Sequence, residues 1–402
     1  MTVGHTRVIP RPSERRRHTE TPDLVIIDDA PSVDARHHRA ARDVASAPSS
    51  FLFCGWIAAI ASALAFGWFG LDGRVESTLG LVLVVPLAAI TKLVIDRFLV
   101  PRVGEWIAAA LFAGFGLRLL AAVPRLLSGA DAYIYQQYGE LIAQSLRSFE
   151  FAIDTGRGIP GTGAVRYFAG IVNVFTFSNF LATYLVFVVI AFAGSVFLLL
   201  GVQRALTASQ FRLAAALIAF SPTMMFWPSS MGKESISIFG IGVTFYGASR
   251  LYDRQWSGAL PIVFGVFAVG MVRPHVAVVV LSGLLIGLLA RESHTRGRLA
   301  SHSAVLIVVL LSSMWAVDGS AGLFGLESLD GFSDVSAALD FTQERTSQDS
   351  AEFTAARVRS VTDYPLGIVT VLFRPFPWEV SSGLALISAI EGMVLFLSLI
   401  HI

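Results

Sequence analysis

The sequence predicts an all-α protein: a polytopic transmembrane bundle of about 10–11 spanning helices that follows a disordered N-terminal tail. Hydrophobic residues make up 54% of the chain and charged residues only 15%, whereas about a quarter of the residues are charged in a water-soluble domain. The apolar residues also occur in blocks close to bilayer length. These blocks lack the alternating polarity of β-barrel strands, so helices are the structure that satisfies their backbone in lipid.

Residues 1–50 form the predicted tail. They are rich in arginine, contain few aromatic residues and show no apolar periodicity, so they bury too little surface to fold. Their basic charge favours a cytoplasmic position next to the first spanning helix. The single cysteine, Cys54, lies within that helix, so the sequence offers neither a disulfide nor a cysteine metal site.

The rest of the chain, 51–402, is predicted to be the transmembrane domain, with external loops at 124–180 and 317–366. Each predicted helix is an apolar block bounded by charged residues, glycine or proline. In chain order the predicted helices are 51–70, 78–95, 105–123, 181–202, 211–227, 235–251, 259–272, 276–290, 304–316 and 384–400.

Charge bias decides whether the moderately apolar segment 158–180 crosses the membrane. If it does not cross, the arginines that follow each later helix pair fall on the cytoplasmic side, as the positive-inside rule requires. We therefore predict that this segment forms an outer-surface or re-entrant helix pair. The resulting orientation collects the candidate functional residues on the outer side: Asp131, Lys233, Glu234, Arg273, His275, Arg374 and Glu379.

Asp131 begins a predicted amphipathic helix just after the third spanning helix. An aspartate at this position either caps the helix or acts as a general base that deprotonates an acceptor hydroxyl. Tyr135 follows one turn later, where tyrosine commonly anchors the headgroup zone. The two interpretations of Asp131 remain open at this point.

The sequence from Trp227 to Glu234 predicts a tight turn between two helices. Backbone donors at the N-terminus of the second helix, together with the charge of Lys233, suit a phosphate group. The alternative is a plain helical hairpin in which Lys233 and Glu234 pair locally or extend to the interface.

Three basic residues lie at membrane depth or at its edge. Arg118 lies about two-thirds along its helix, and a charge inside a membrane segment is a functional candidate by default. Arg273 and His275 flank Pro274 at the outer boundary. The alternative for each is that the side chain extends to the nearby headgroups.

Two prolines fix an extended backbone around Arg374 and Glu379, just before the last helix. This pattern predicts either an anion-binding arginine held beside aromatic rings or a rigid turn within an aromatic belt. Glu391 is a further acid within the last helix, and we expect it to pair with one of the arginines.

The segment Asp131-x-x-x-Tyr135 resembles the first external loop of the GT-C type membrane glycosyltransferases. The stretches 226–234 and 374–379 look like those of bacterial membrane proteins from cell-surface polysaccharide clusters. The resemblance implies sugar transfer from a polyprenyl-phosphate donor, with a loop aspartate that acts as a base or binds a metal ion. Many relatives carry a second acid after that aspartate, whereas this chain has Ala132. Dependence on a divalent metal ion therefore stays open. The resemblance implies no other cofactor.

This resemblance implies a role for each candidate residue. Asp131 is the expected catalytic base. The expected ligands of the lipid phosphate are Arg118, Lys233, Arg273 and Arg374, and the expected supporting residues are Tyr135, Glu234, His275 and Glu379. The expected partners are the lipid-linked sugar donor, a glycan or lipid acceptor and membrane lipids, without nucleic acid.

Three functional classes remain open for a multi-pass protein of the bacterial cytoplasmic membrane with a cytoplasmic N-terminus. The first is a glycosyltransferase, or a related polysaccharide polymerase. The second is a transporter or lipid flippase, which requires a polar path linking both faces. The third is a non-catalytic assembly partner. The sequence lacks Walker, dinucleotide-binding, His-Glu-x-x-His and Gly-x-Ser-x-Gly motifs, which gives nucleotide-driven transport and ordinary hydrolysis no support.

Overall fold

The computed structural model describes residues 49–71, 80–128, 130–151, 153–253, 255–289, 369, 373, 375–380 and 383–401. These residues contain helices and connecting turns without any strand, which confirms the all-α prediction. The predicted tail up to residue 48, the helix 304–316 and the external loop 317–366 lie outside the described residues, as does Arg374.

The helices follow one another with short connections. The first seven in chain order are α1 (Ser49–Leu71), α2 (Gly80–Val94), α3 (Val100–Val103), α4 (Glu105–Ser128), α5 (Ala130–Arg147), α6 (Thr162–Thr176) and α7 (Phe180–Val202). The others are α8 (Ala208–Phe220), α9 (Pro222–Phe226), α10 (Lys233–Tyr252), α11 (Ala259–Val272), α12 (Pro274–Leu289) and α13 (Gly383–His401). Short 3₁₀ turns cover Gln203–Ala205, Trp256–Gly258 and Pro377–Glu379, and a π-helical turn, Ile95–Leu99, joins α2 to α3.

Three helical segments are long and apolar enough to cross a membrane: Ser49–Gly70, Glu105–Leu127 and Phe180–Ala205. Within the second segment 78% of the most apolar window is buried, compared with 33% in the first, so α4 is a central helix and α1 a peripheral one. Shorter apolar helices cover Ala208–Phe220, Trp256–Val272, Pro274–Leu284 and Leu386–Ser398.

The predicted helix 211–227 is wrong in its extent, because the chain breaks between α8 and α9. Ser221 has an extended backbone (φ −60°, ψ 124°), and Pro222 then starts the five-residue helix α9. Proline disfavours helical geometry at the preceding residue and lacks the N–H that a continuous helix needs. The break gives α9 a direction of its own and lets its carbonyl groups contact other helices.

Contacts between helix termini define two ends of the molecule. At one end Gln203 Nε2 donates to the carbonyl oxygen of Arg102 at 3.2 Å, and Arg204 forms an ion pair with Asp253. We call this the lower end; it joins the start of α4 to the last residues of α7 and α10. The opposite end, which contains Ser128, Phe180, Lys233 and Arg273, is the upper end.

Helices α7, α10 and α11 form a closely packed layer. A Cβ atom added at Gly242 on α10 would lie 1.9 Å from the carbonyl oxygen of Gly194 on α7, a distance that no side chain tolerates. Small residues allow helix backbones to approach this closely, and dispersion contacts then hold the pair together. This layer fixes the position of the N-terminus of α10 at the upper end.

Helices α5 and α6 lie together at the upper end. The N–H of Gly161, just before α6, donates to the carbonyl oxygen of Met271 near the upper end of α11 at 2.8 Å. After the other terminus of α6, the hydroxyls of Thr176 and Thr183 are 2.7 Å apart, and Thr183 lies in the first turn of α7. Both ends of α6 therefore lie at the upper end. This arrangement agrees with the prediction that the segment 158–180 does not cross the membrane.

Candidate functional site

Four charged residues surround Tyr135, whose side chain is only 6% exposed on α5. Burial, together with the negative charges of Asp131 and Glu234, raises the pKa of the Tyr135 hydroxyl to about 12, and the positive charges of Arg166 and Arg273 oppose this shift. The four charges are therefore within electrostatic reach of this hydroxyl. We call Asp131, Tyr135, Arg166, Glu234 and Arg273 the upper charge cluster.

An ion pair between Arg273 and Glu234 joins the two later helices of this cluster. Glu234 lies in the first turn of α10, where the helix dipole favours a negative charge. Its Oε2 is 3.1 Å from the place where a Cβ at Gly232 would stand, so the carboxylate folds back over the turn that precedes α10. The charge of Arg273 is thus balanced by an acid within the chain.

Asp131 lies in the first turn of α5 and its side chain is exposed. The amphipathic helix predicted after this residue is confirmed. Within the part of the chain that the structure describes, the carboxylate of Asp131 makes no hydrogen bond or ion pair. An accessible carboxylate four residues before a buried tyrosine is able to accept a proton from a bound molecule.

Arg166 joins the cluster from α6, although the sequence alone gave it no role. Its guanidinium lies 3.5 Å from the ring centroid of Tyr138 and donates from Nη1 to the carbonyl oxygen of Thr155 at 2.8 Å. The side chain is 6% exposed. An arginine within a weakly apolar helix was the available signal, but Thr155 lies in a loop that periodicity does not position, and Tyr138 lies on a different helix.

A neutral hydrogen-bond network fixes the face of α5 that carries Tyr135. Gln136 Nε2 donates to Asn173 Oδ1 on α6 and to the carbonyl oxygen of Ser178, each at 3.1 Å. Thr183 on α7 also donates to Asn173 Oδ1, at 2.8 Å. Asn173 and Thr183 are fully buried, and buried networks whose members are satisfied hold a unique geometry. The upper charge cluster therefore rests on a rigid base.

Three other candidate residues lie among the described residues. Lys233 is the first residue of α10, next to Glu234, and His275 is the exposed second residue of α12. Glu379 ends the turn Pro377–Glu379, where its Oε2 accepts the N–H of Phe376 at 3.1 Å. This contact supports the rigid-turn interpretation of that segment.

Arg118 lies apart from the cluster, deep between α4, α7 and α9. It is 2% exposed, and its Nη2 donates to Ser195 Oγ at 3.0 Å and to the carbonyl oxygen of Met224 at 2.8 Å. The predicted inward orientation of Arg118 is thus confirmed. Its Nε and Nη1 are buried and find no acceptor among the described residues.

Arg125, two turns after Arg118 on α4, contacts the same segment that includes α9. Its Nη2 donates to Ser230 Oγ at 3.1 Å, and its guanidinium lies 5.3 Å and 5.0 Å from the ring centroids of Phe226 and Trp227. Its buried Nε has no partner in the described part of the chain. The seven-residue spacing to Arg118 was the signal for this residue, since it places both side chains on one helix face.

Glu391 does not pair with an arginine through any described contact, contrary to expectation. Its carboxylate accepts the hydroxyls of Ser221 and Thr223, and the N–H of Thr223 at 2.9 Å. These donors lie at the N-terminus of α9, where free N–H groups attract a carboxylate. Glu391 therefore ties α13 to α9.

No group of three or more histidine, cysteine, aspartate or glutamate side chains able to hold a metal ion occurs among the described residues. The sequence matches no protein-family model, and comparisons with curated proteins and with solved structures give no significant match. Inference about function therefore rests on the geometry of the upper end.

Proposed function

We propose that this protein is an integral membrane glycosyltransferase that uses a lipid-linked sugar donor on the outer face of the cytoplasmic membrane. The product would be a cell-envelope polysaccharide or glycoconjugate, and a polysaccharide polymerase is the closest variant of the same chemistry. In this proposal the upper end faces outward and Asp131 is the catalytic base.

The arginine-rich residues 1–50, which lead into α1, support this orientation. The lower end carries Arg97, Arg102, Arg204 and Arg250 close to the ends of apolar helices. Short loops rich in lysine and arginine remain on the cytoplasmic side. The shorter apolar helices then act as additional spans beside the three long ones, which gives the multi-pass bundle that the composition predicts.

The upper charge cluster is the observation that carries the proposal. Charges from α5, α6, α10 and the start of α12 gather around one buried hydroxyl at the end of an otherwise apolar bundle. A buried titratable group with a raised pKa beside several charged side chains is typical of functional sites. An amphiphilic donor would present its sugar at this level while its chain remains among the helices.

The chemistry is a substitution at the anomeric carbon of the donor. The acceptor hydroxyl attacks that carbon and loses its proton to the carboxylate of Asp131. The bond between the anomeric carbon and the phosphate oxygen breaks, and the lipid phosphate leaves with the electron pair. Cationic side chains stabilise this leaving group, and Tyr135, like any tyrosine of ordinary or raised pKa, is protonated at neutral pH.

The test is sugar transfer by Asp131→Asn in liposomes that contain polyprenyl-phosphate sugar donors and a cell-envelope acceptor. Loss of a general base lowers the rate by about a hundredfold or more. Glu150→Gln is the matched control, because this acid is exposed beyond the other end of α5. Transfer by the Asp131 variant at the wild-type rate would exclude the proposed base.

A transporter or lipid flippase is the second candidate, because Arg118 and Glu391 both contact the segment 221–226. That function needs a polar path from Arg118 to the lower end. Along α4 below Arg118, however, Phe112 and Phe115 are fully buried, and Phe115 packs against Phe192 with ring centroids 4.8 Å apart. An apolar barrier therefore separates Arg118 from the lower end, which favours the transferase.

A further inference from the structure

We propose that Arg118 and Arg125, rather than Arg273, form the site that takes the phosphate group of a membrane amphiphile. We call Arg118, Arg125, Tyr184, Ser195 and Ser230 the arginine seam. The inference rests on the proposed function and assigns separate roles to two parts of that site. The phosphate binds in the seam, and the upper charge cluster binds the acceptor and deprotonates its hydroxyl.

Arg118 supplies the first argument, because its charge is buried without an acid beside it. The side chain is 2% exposed and its bonded partners are a hydroxyl and a carbonyl oxygen. Two further buried nitrogens, Nε and Nη1, donate to no acceptor in the described residues. Burial of a charge without a counter-charge is costly, and an anionic ligand removes that cost.

Arg125 supplies a second cation on the same helix face. The two arginines are seven residues apart, which is about 10 Å along an α-helix. Tyr184 lies between them, since its hydroxyl is bonded to the carbonyl oxygens of Ala122 on α4 and Ser229 in the turn, at 3.2 Å and 3.0 Å. The seam therefore places polar groups from α4, α7 and the segment around α9 at successive levels along α4.

The turn that Arg125 contacts adds backbone donors. Ser230, Met231 and Gly232 are buried, and their N–H groups donate to no acceptor within the described chain. Buried N–H groups are almost always paired in folded proteins. These N–H groups are therefore available as donors to an anionic ligand beside Arg125.

The charge balance separates the seam from the upper charge cluster. Helix α4 carries its one acid, Glu105, at the lower end, and neither α7 nor the segment 222–232 contains any acid. Arg273, in contrast, is already paired with Glu234. Glu391 of α13 reaches α9, but its carboxylate accepts from Ser221 and Thr223. Among the described residues, an incoming phosphate therefore meets two arginines without an ion pair in the seam, whereas at Arg273 it would have to displace a carboxylate.

The experiment measures thermal unfolding of the full chain in detergent during titration with a short prenyl phosphate. The matched prenyl alcohol tests whether the phosphate is recognised, and inorganic phosphate tests whether the lipid chain matters. The variants are Arg118→Lys, which keeps the charge but loses the planar fork of donors, and Arg125→Gln. Arg212→Gln is the control, because this arginine is exposed on α8 near the lower end.

The expected result is stabilisation by prenyl phosphate and none by the alcohol. Loss of one charged donor pair weakens binding by about tenfold or more in each seam variant, and the Arg212 variant binds like wild type. Folded seam variants that bind prenyl phosphate as tightly as wild type would overturn the inference. Equal affinity for inorganic phosphate would assign the seam to free phosphate instead of an amphiphile.

The role of Asp131 as base and the role of the arginine seam as phosphate site can be refuted independently of each other. Asp131→Asn is expected to bind prenyl phosphate with wild-type affinity, since Asp131 belongs to the upper charge cluster. An Asp131 variant that is fully active, combined with weakened binding in the seam variants, refutes the transferase mechanism but leaves the phosphate site standing. Loss of phosphate binding in the Asp131 variant would contradict the separation of the two parts.

Discussion

Neutralising Glu234 and Arg273, singly and together, tests whether the two side chains balance each other. They are 31% and 34% exposed, so their interaction is stronger than that of an exposed pair and weaker than that of a fully buried one. Exposed pairs are worth about 0–1 kcal/mol, and breaking a buried pair costs about 3–5 kcal/mol. We therefore expect each of Glu234→Gln and Arg273→Gln to lose about 1–2 kcal/mol of unfolding free energy.

The double variant should lose less than the sum of the single losses, by about 1 kcal/mol, because neither charge is then left alone. Tyr135 provides a second readout with opposite signs. Glu234 raises and Arg273 lowers the pKa of this tyrosine. Removal of Glu234 should therefore lower the pKa of Tyr135, and removal of Arg273 should raise it.

Both quantities can be measured on protein in detergent. Denaturant unfolding gives the double-mutant cycle, and the ultraviolet difference spectrum of tyrosinate gives the pKa after subtraction of a Tyr135→Phe background. Strictly additive losses, or pKa shifts of the same sign in both single variants, would refute the ion pair and the geometry of the upper charge cluster.

Two further predictions concern alkaline stability and packing. The pKa of Tyr135 is raised to about 12 in the fold, so its contribution to stability is complete below pH 10 and is lost as the pH rises towards 12. The loss is about 2–3 kcal/mol at most, and Tyr135→Phe should remove this part of the pH dependence of unfolding. Gly242→Ala places a Cβ 1.9 Å from the carbonyl oxygen of Gly194, so it should lower the melting temperature through overpacking of about 1–3 kcal/mol. Gly283→Ala on α12, where a Cβ meets nothing within 4 Å, is its control and should melt at or above the wild-type temperature, because alanine favours the helix more than glycine does.

The sequence predicts the all-helical fold and the positions of most helices because long apolar blocks depend only on local composition. Its main error in helix extent, at 211–227, comes from Pro222, which is adjacent to an apolar run that continues on both sides. The break matters for the site, because it places the carbonyl of Met224 beside Arg118.

Pairings between helices are the part that the sequence does not determine. Glu234 and Arg273 are 39 residues apart. The sequence predicts both at the upper end, but it does not predict the ion pair between them. Arg125 lies three residues from the end of α4, a position that the sequence alone does not link to the turn after α9. Its contact with Ser230 depends on the turn after α9, whose direction no periodicity encodes.

The depth of the two seam arginines suggests an order of events. Arg125 is three residues from the end of α4 and Arg118 is ten residues from it, which correspond to about 5 Å and about 15 Å along the helix axis. In the proposed orientation, with a hydrocarbon core about 30 Å thick, Arg125 would lie near the headgroups and Arg118 deeper in the membrane. A phosphate that arrives at headgroup level would then meet Arg125 first, with Tyr184 between it and Arg118. Loss of Arg125 should then slow association, while loss of the donor fork of Arg118 should speed dissociation, because the deeper contact forms last and breaks first. Stopped-flow measurement of prenyl phosphate binding separates the two rates, and equal effects of both variants on association would rule out this order.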